Sequence, residues 1–297
     1  MGLTPEQIKA RRTGIGASDV GAILGMNPWK TPVDIWYDKV HGSNFKGNSA
    51  TARGNRWEPR VLADYEEWKG RKVEADPQYT RYYTVLRNGI EHKVRFTASC
   101  DAIVIDDRGL EESLRAPSVC VEAKTAHSMS SWGLPGTDQV PDSYLLQTFC
   151  QIWCSGAKEA DIPVLCGFDF FNYNVKRPPE DELDKVIQTC AEWWVDFVVT
   201  ETRPEGPPPK VTVLASIERD EDEAIELSDD VVECVRLWQG VKSDKAEIIK
   251  AEAEMRAGLI EKLGEASVGV HDTGELTYFA NSRGVRSLKW NRRRESR

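Results

Sequence analysis

No apolar run approaches the roughly 20 residues that a membrane span requires, and the opening stretch, MGLTPEQIKARR, carries no hydrophobic leader. The expectation is a cytoplasmic protein with no membrane partner. An even cysteine count is missing: the seven residues are odd in number and lie in apolar strand-like or helix-like contexts. That predicts buried free thiols and not a disulfide framework. Internal repeats are absent, and compositional bias is confined to one proline-rich and one acidic stretch. An excess of basic charge is missing too: the net charge is −9, which at first argues against nucleic acid as a partner. The acid is concentrated, however. Residues 218–230 (ERDEDEAIELSDD) hold eight acids and one arginine. The remainder is close to neutral, and its local basic clusters can still hold phosphate. The acidic run itself reads as a solvated linker.

What is present describes a globular protein. A chain of 297 residues, 40% hydrophobic and 29% charged, can bury a substantial core in one large domain or two. It is organised around Asp101 to Lys124. FTASCDAIVID carries Asp101 at the start of one apolar β-type run, and SVCVEAKTA carries Glu122 and Lys124 at the end of a second. Residues two apart on a strand share a face, so Glu122 and Lys124 point one way and Ala123 the other. Neighbouring strands lie about 4.8 Å apart, which brings Asp101 into the same small volume. Two carboxylates and an ammonium in one pocket can hold a hard divalent cation and the water that it activates. An ExK triplet alone is equally a salt-bridged pair at a strand end. Here it closes an apolar strand, where an unneeded charge is costly.

The flanking chain reads as follows. Residues 4–11 suit a short helix behind Thr4 and Pro5. In Arg11-Arg12-Thr13-Gly14-Ile15-Gly16-Ala17-Ser18-Asp19, two glycines precede a helix from Val20 to Leu24, with Ser18 or Asp19 as its cap. Such a helix start beside arginines is either an anion site or an ordinary capped turn. Thr31 caps a helix through Val40. Residues 51–69 are helical, with Trp57, Val61, Leu62, Tyr65 and Trp68 at helical spacing. Pro59 is expected to start or kink the regular part, so Glu58 is either a first-turn acid or a third carboxylate of the site. β-structure is expected from Lys72 to Thr97, turning at Arg87-Asn88-Gly89, then a turn at Asp106–Gly109 and a polar insertion from Leu110 to Pro117. A loop from His127 to Val140 follows, with His127 read as exposed. Residues 142–155 form a helix bearing Tyr144, Gln147 and Gln151 on one stripe, and its glutamines need partners. Strands over 160–166 and 168–175 and a helix over 179–199 come next. The proline-rich segment 203–209 marks a boundary. A helix over 229–263, a β-hairpin around Asp272-Thr273-Gly274 and the basic tail WNRRRESR complete the chain.

The order of these parts resembles a known family. RRTGIGASD, GNRWEP with Glu58, Asp101, Glu122-x-Lys124 and Tyr144-x-x-Gln147-x-x-x-Gln151 look like the phage-type alkaline exonucleases, the lambda exonuclease and YqaJ viral recombinase family of the PD-(D/E)xK superfamily, over residues 8–200. The resemblance implies an α/β restriction-endonuclease-like core, with a central mixed β-sheet flanked by helices. With the proline-rich and acidic stretches read as a linker over 203–228, an exonuclease domain is expected over 1–202 and a C-terminal helix plus small β extension over 229–297. The resemblance further implies Mg²⁺-dependent (with Mn²⁺ able to substitute) 5′-to-3′ digestion of one strand of linear double-stranded DNA. The 3′ single strand left behind would serve recombination through a single-strand annealing protein, and the enzyme would be a ring-shaped homotrimer. Carried over residue by residue, Asp101, Glu122 and the Ala123 carbonyl are metal ligands, and Glu58 joins through water. Lys124 orients or deprotonates the attacking water, and Gln147 positions water or Lys124. Arg11 or Arg12, with Ser18, recognises the 5′-phosphate. The length of the insertion after Asp106 leaves one further family acid unplaced.

Two alternatives stand beside this reading. A RecB-type nuclease of different polarity with an iron–sulfur cluster would need a C-x₂-C group downstream of the glutamine helix. Cys150, Cys154, Cys166 and Cys190 lack that spacing, so no iron–sulfur cluster is expected. A catalytically silent DNA-end-binding recombination scaffold would not need Glu58, Asp101, Glu122 and Lys124 together.

Overall fold

The computed structural model describes residues 12–42, 48–105, 117–217 and 224–292. Arg11 and the expected helix over 4–11 lie outside these residues. So do the turn after Asp106, most of the polar insertion, the core of the acidic run and the end of the basic tail. Two units divide the chain, Met1–Arg219 and Asp220–Arg297.

In the first unit, β1 (Ile15–Gly16) leads into α1 (Ala17–Ile23). A β-carbon at Gly14 would stand 2.5 Å from the Arg95 carbonyl oxygen, so the close approach of this segment to a later strand requires glycine. Asp19 turns back to accept the Gly16 amide at 2.9 Å and the Lys39 ammonium at 2.6 Å. Lys39 also donates to the Gly14 carbonyl at 2.9 Å, which makes a buried ion pair that fixes the turn. α2 (Pro32–Val40) starts in a reciprocal cap between Thr31 and Asp34.

α3 (Ser49–Lys69) begins well before Pro59. The Asn48 side-chain oxygen accepts the Ala50 and Thr51 amides at 3.0 Å each and opens the helix ten residues before the proline. Glu58 therefore sits mid-helix, not in a first turn. The apolar stripe is also narrower than its spacing suggested. Val61 and Tyr65 are buried, whereas Trp57 and Trp68 are exposed.

β2 (Glu74–Ala75) precedes the hairpin of β3 (Gln78–Arg87) and β4 (Ile90–Ser99), which turns through Asn88 and Gly89, both at positive φ. β1 runs parallel to β4 and completes a three-stranded sheet. The central sheet has six strands. β5 (Ala102–Ile105) pairs antiparallel with β6 (Pro117–Val121), and β6 lies parallel to β8 (Glu159–Cys166). β7 (Lys124–Ala126) also lies parallel to β8, and β9 (Asp169–Lys176) is antiparallel to it. β6 and β7 are thus one strand line that releases the ladder at Glu122–Ala123. The sheet is mixed and flanked by helices, as the resemblance implied. Alternation sets its two faces. Ala102, Val104, Val119 and Val121 pack on Tyr65 of α3. Ile103, Cys120, Ala160, Ile162 and Val164 join the main core with Cys150 and Ile152 of α4 (Asp142–Ser155).

α5 (Glu180–Trp193) continues into a π-helical turn over Trp194–Val199, where a regular helix had been expected. The Phe197 carbonyl of that turn accepts the Trp36 indole N–H at 3.0 Å. The proline-rich stretch is not a free linker throughout. α6 (Val211–Leu214) follows it with Val213 buried, and the Lys210 amide donates to Asp34 at 2.9 Å. The first part of the expected 203–228 linker therefore belongs to the first unit.

In the second unit, α7 (Asp229–Leu263) precedes a three-stranded antiparallel sheet of β10 (Val268–His271), β11 (Gly274–Ala280) and β12 (Arg286–Arg292). The expected hairpin gains a third strand. Among the described residues no helix is long and apolar enough to cross a membrane.

Candidate active site

Antiparallel pairing of Ala102 with Val121 sets Asp101 beside Glu122, just past the ends of β5 and β6. The strand break there has a use. The Ala123 amide, outside both strands, donates to Asp101 Oδ2 at 2.7 Å, while the Glu122 amide donates to the Asp161 carbonyl at 3.0 Å. The main chain itself locks the two acids side by side.

Glu122 is only 5% exposed, and a buried carboxylate needs partners. It has three. Lys124 Nζ stands 2.5 Å and Gln147 Nε2 2.6 Å from Oε1, and Gln151 Nε2 stands 2.6 Å from Oε2. Gln151 also donates to the Ser99 carbonyl at 3.0 Å. The i, i+3, i+7 stripe on α4 is thus the site's roof. Its third member, Tyr144, lays its ring 4.9 Å from the Lys124 ammonium, a cation–π contact.

Three carboxylates, Glu58, Asp101 and Glu122, act here on one ammonium, Lys124. Burial, and then the Glu122 carboxylate, push Asp101 up to about 8, with Glu58 adding to the rise. Burial also raises Glu58, which feels Asp76 and Glu122 as like charges. Burial works against the Lys124 ammonium, but Glu122 and Asp101 outweigh it and hold Lys124 above its usual value. Lysine is therefore the charged partner, and the surplus acid falls on Asp101 and Glu58.

Among the described residues no group of three or more His, Cys, Asp or Glu side chains is arranged as a ready cage for a metal ion. The donor set nonetheless suits a hard cation in kind: oxygen only, with two adjacent carboxylates, one of them pushed toward protonation by burial and then by the other. Asp101 and Glu122 are the residues that could hold such an ion, with the Ala123 carbonyl between them and Glu58 acting from farther off. His127 is exposed, as the sequence suggested.

Of the expected phosphate-binding group, Arg12 and Ser18 fall among the described residues and Arg11 does not. Ser18 lies exposed on the first turn of α1. Arg12 points elsewhere: its Nη2 donates to the Val40 carbonyl at 3.2 Å, where the C-terminal end of α2 favours a cation.

A family model described as a YqaJ-like viral recombinase domain matches residues 7–158. The chain belongs to that family. The match takes in Glu58, Asp101, Glu122, Lys124, Gln147 and Gln151, so the resemblance drawn from motif order is borne out. Among curated proteins, the uncharacterized protein YqaJ of Bacillus subtilis (strain 168) is 23% identical over 272 residues, covering 89% of this chain and 79% of that protein. Two solved structures are similar to this YqaJ-like chain. An alkaline exonuclease, LHK-Exo, from Laribacter hongkongensis is 17% identical, with 67% of this chain and 94% of that one covered and a TM-score of 0.48. A phage-related exonuclease from Haemophilus somnus 129PT is 14% identical, with coverage of 63% and 96% and a TM-score of 0.43.

Sequence reasoning missed one buried group of the first unit of this YqaJ-family chain. Asp161, on β8, is fully buried and accepts from Tyr65 Oη at 2.6 Å, Lys69 Nζ at 2.8 Å and Asn174 Nδ2 at 2.7 Å. Its carboxyl ties α3, the helix bearing Glu58, to the strand whose main chain holds Glu122. A charge in the middle of the apolar run ADIPVL was the available signal, since buried charges occur only with partners.

Proposed function

We propose that the protein is a Mg²⁺-dependent exonuclease that digests one strand of linear double-stranded DNA from its 5′ end and leaves a 3′ single strand for recombination. The observation that carries this reading is the convergence of Asp101, Glu122 and Lys124 under Gln147 and Gln151. A silent DNA-binding scaffold would have no use for a repelling carboxylate pair beside a lysine. When bound, the divalent cation would lower the pKa of a water and offset charge on the phosphate; Mn²⁺ would substitute. Asp101, Glu122 and the Ala123 carbonyl would hold it, with Glu58 acting through water. The chain's own residues do the rest. Lys124, kept protonated by Glu122 and Asp101, would offset the negative charge that develops on the phosphate. Gln147 and Gln151 fix the Glu122 carboxylate so that Lys124 cannot swing away with it. Arg11 and Ser18 would take the 5′-phosphate, Arg12 being committed to α2. A single-strand annealing protein would receive the product, and the family resemblance supports a ring-shaped homotrimer.

Linear duplex with a 5′-phosphate should be degraded in Mg²⁺ faster than the same duplex with a 5′-hydroxyl. A 3′-end label should persist, and closed circles should survive. Arg11→Ala should erase the phosphate preference without abolishing cleavage. Circles cut as fast as linear DNA, or loss of the 3′ label first, would overturn the reading.

A linkage test follows from Asp101. Its pKa is raised in the folded state to about 8. The stability that its proton supplies to the metal-free protein is present at low pH and lost as pH rises toward 8. A divalent cation must displace that proton, so its binding strengthens over the same range. The gain in Tm from Mg²⁺ over EDTA should therefore be larger at pH 8.5 than at pH 6. Equal gains, or none, would count against Asp101 as a ligand.

A further inference from the structure

Trp29 is 57% exposed, and its exposure is built in. The Asn27 side-chain oxygen accepts the Trp29 and Lys30 amides at 2.8 and 3.0 Å. The Lys210 ammonium donates to the Trp29 carbonyl, and the Lys210 amide is itself anchored on Asp34 of α2 at 2.9 Å. The turn is thus tied down from both sides while the indole stays outside the core. It does not stand alone. Its ring lies 6.2 Å from that of Tyr144, and Tyr144 lies 5.5 Å from Trp132, which lies 5.0 Å from Tyr173. Trp132, Tyr144 and Tyr173 pack against the main core, so ordinary packing accounts for them. Packing does not account for Trp29. The aromatic row runs from the core at Tyr173 to solvent at Trp29, and its second ring from the solvent end, Tyr144, lies under the Lys124 ammonium.

We infer that Trp29, backed by Tyr144, is a stacking step for an unpaired nucleobase of the strand being cut. The inference rests on the nuclease reading and deepens it. A phosphate drawn to Lys124 must reach a recessed carboxylate roofed by α4, so its nucleotide has to leave the duplex stack. The lost stacking must be replaced, and an exposed aromatic surface one ring away from the lysine replaces it. Every base has a π-face, so this contact tolerates any sequence, as digestion of arbitrary DNA demands. Because the turn is fixed in advance, little order is lost when the base arrives.

The test uses duplex DNA with 2-aminopurine as the 5′-terminal base, bound to the full chain in Ca²⁺. The wild-type protein should quench the probe. Trp29→Ala should lose most of the quench and bind about tenfold more weakly, within the range for removal of one base–aromatic stack. Trp29→Phe should restore both. In Mg²⁺, the wild type should cut a 5′-terminal abasic nucleotide about tenfold more slowly than a normal one, and Trp29→Ala should cut the two alike. Trp29 is exposed, so matching far-UV circular dichroism is expected for the variants. A Trp29→Ala protein that quenches 2-aminopurine and discriminates against the abasic end as the wild type does overturns the inference and leaves the nuclease reading standing. A wild type that cuts no linear duplex removes the nuclease reading and the stacking step with it.

Discussion

Glu122→Ala should lose DNA cleavage by at least about a thousandfold, the upper end of what one preorganised electrostatic group is worth, while the protein stays folded. Glu122 is the acceptor on which Lys124, Gln147 and Gln151 all converge. Its removal takes away a candidate cation ligand, the partner that keeps Lys124 charged and the anchor of two glutamines. Stability should move in a different way. Three donors lose an acceptor, but the like charge that raises Asp101 is gone as well, and the two effects oppose each other. A site that stores repulsion for function becomes quieter when one of its acids is removed. Single-turnover cleavage of labelled duplex in Mg²⁺, alongside a urea denaturation curve, checks both halves. Lys124→Ala should lose about a hundredfold, the scale for one electrostatic or proton-transfer group. Wild-type turnover by Glu122→Ala would sink the site assignment.

Asp161→Ala is expected to have the largest effect on stability, about 3–5 kcal/mol, the range for breaking a buried charged group's network. Burial on its own would raise the Asp161 carboxyl. The Lys69, Tyr65 and Asn174 donors overcome that and hold it below the ordinary value, so it is ionised in the folded protein. Its deletion leaves the Tyr65 hydroxyl and the Asn174 amide without their acceptor beneath α3, although Lys69 can turn partly to water. Because the folded pKa is depressed, this stabilisation is present above the unfolded pKa of about 4 and is lost as pH falls through the folded value. Urea titration at pH 7 should show a lower midpoint with an unchanged m-value. Tyr65→Phe, which removes one donor to a charge, should cost about 1.5–3 kcal/mol. A loss below about 1 kcal/mol for Asp161→Ala would mean that α3 is held by its apolar face alone.

The parts legible in the sequence were those whose determinants are local. The helix over 142–155 and the long one over 229–263 follow from periodicity and bounding residues, and the structure places them at those limits. The hairpin at Asn88–Gly89 follows from a dipeptide that tolerates positive φ. Asp101, Glu122 and Lys124 were legible because their charges bound two successive apolar runs in a D…ExK order. What escaped depends on partners distant in the chain. Nothing near Asp161 announces that Tyr65 and Lys69 will meet it, and nothing near Trp29 announces Tyr144. Pro59 misled because its local cost is certain while the tertiary packing that offsets it is not visible, and the true start of α3 rests on one Asn48 side chain. The break between β6 and β7 was invisible for a related reason: Val119 to Lys124 alternate as one strand would, and only the diversion of the Ala123 amide to Asp101 interrupts it.

The two faces of the central sheet also govern where this chain can change in length. Along β5 and β6 every second residue packs on α3, and the ones between look toward α4 and the acids. Here the backbone behaves as a code read in steps of two. Gaining or losing one residue between Cys120 and Lys124 exchanges the two readings, turning the chemistry into the core and the core into the cleft. Substitutions there are graded in their effect, but a shift of frame is not. Upstream, the Ile103–Cys120 and Val104–Val119 pairs hold that frame, and the register shifts only beyond them, between Val104 and Ile105. A one-residue insertion between Cys120 and Lys124 should therefore cost far more than any single substitution there, Glu122 excepted.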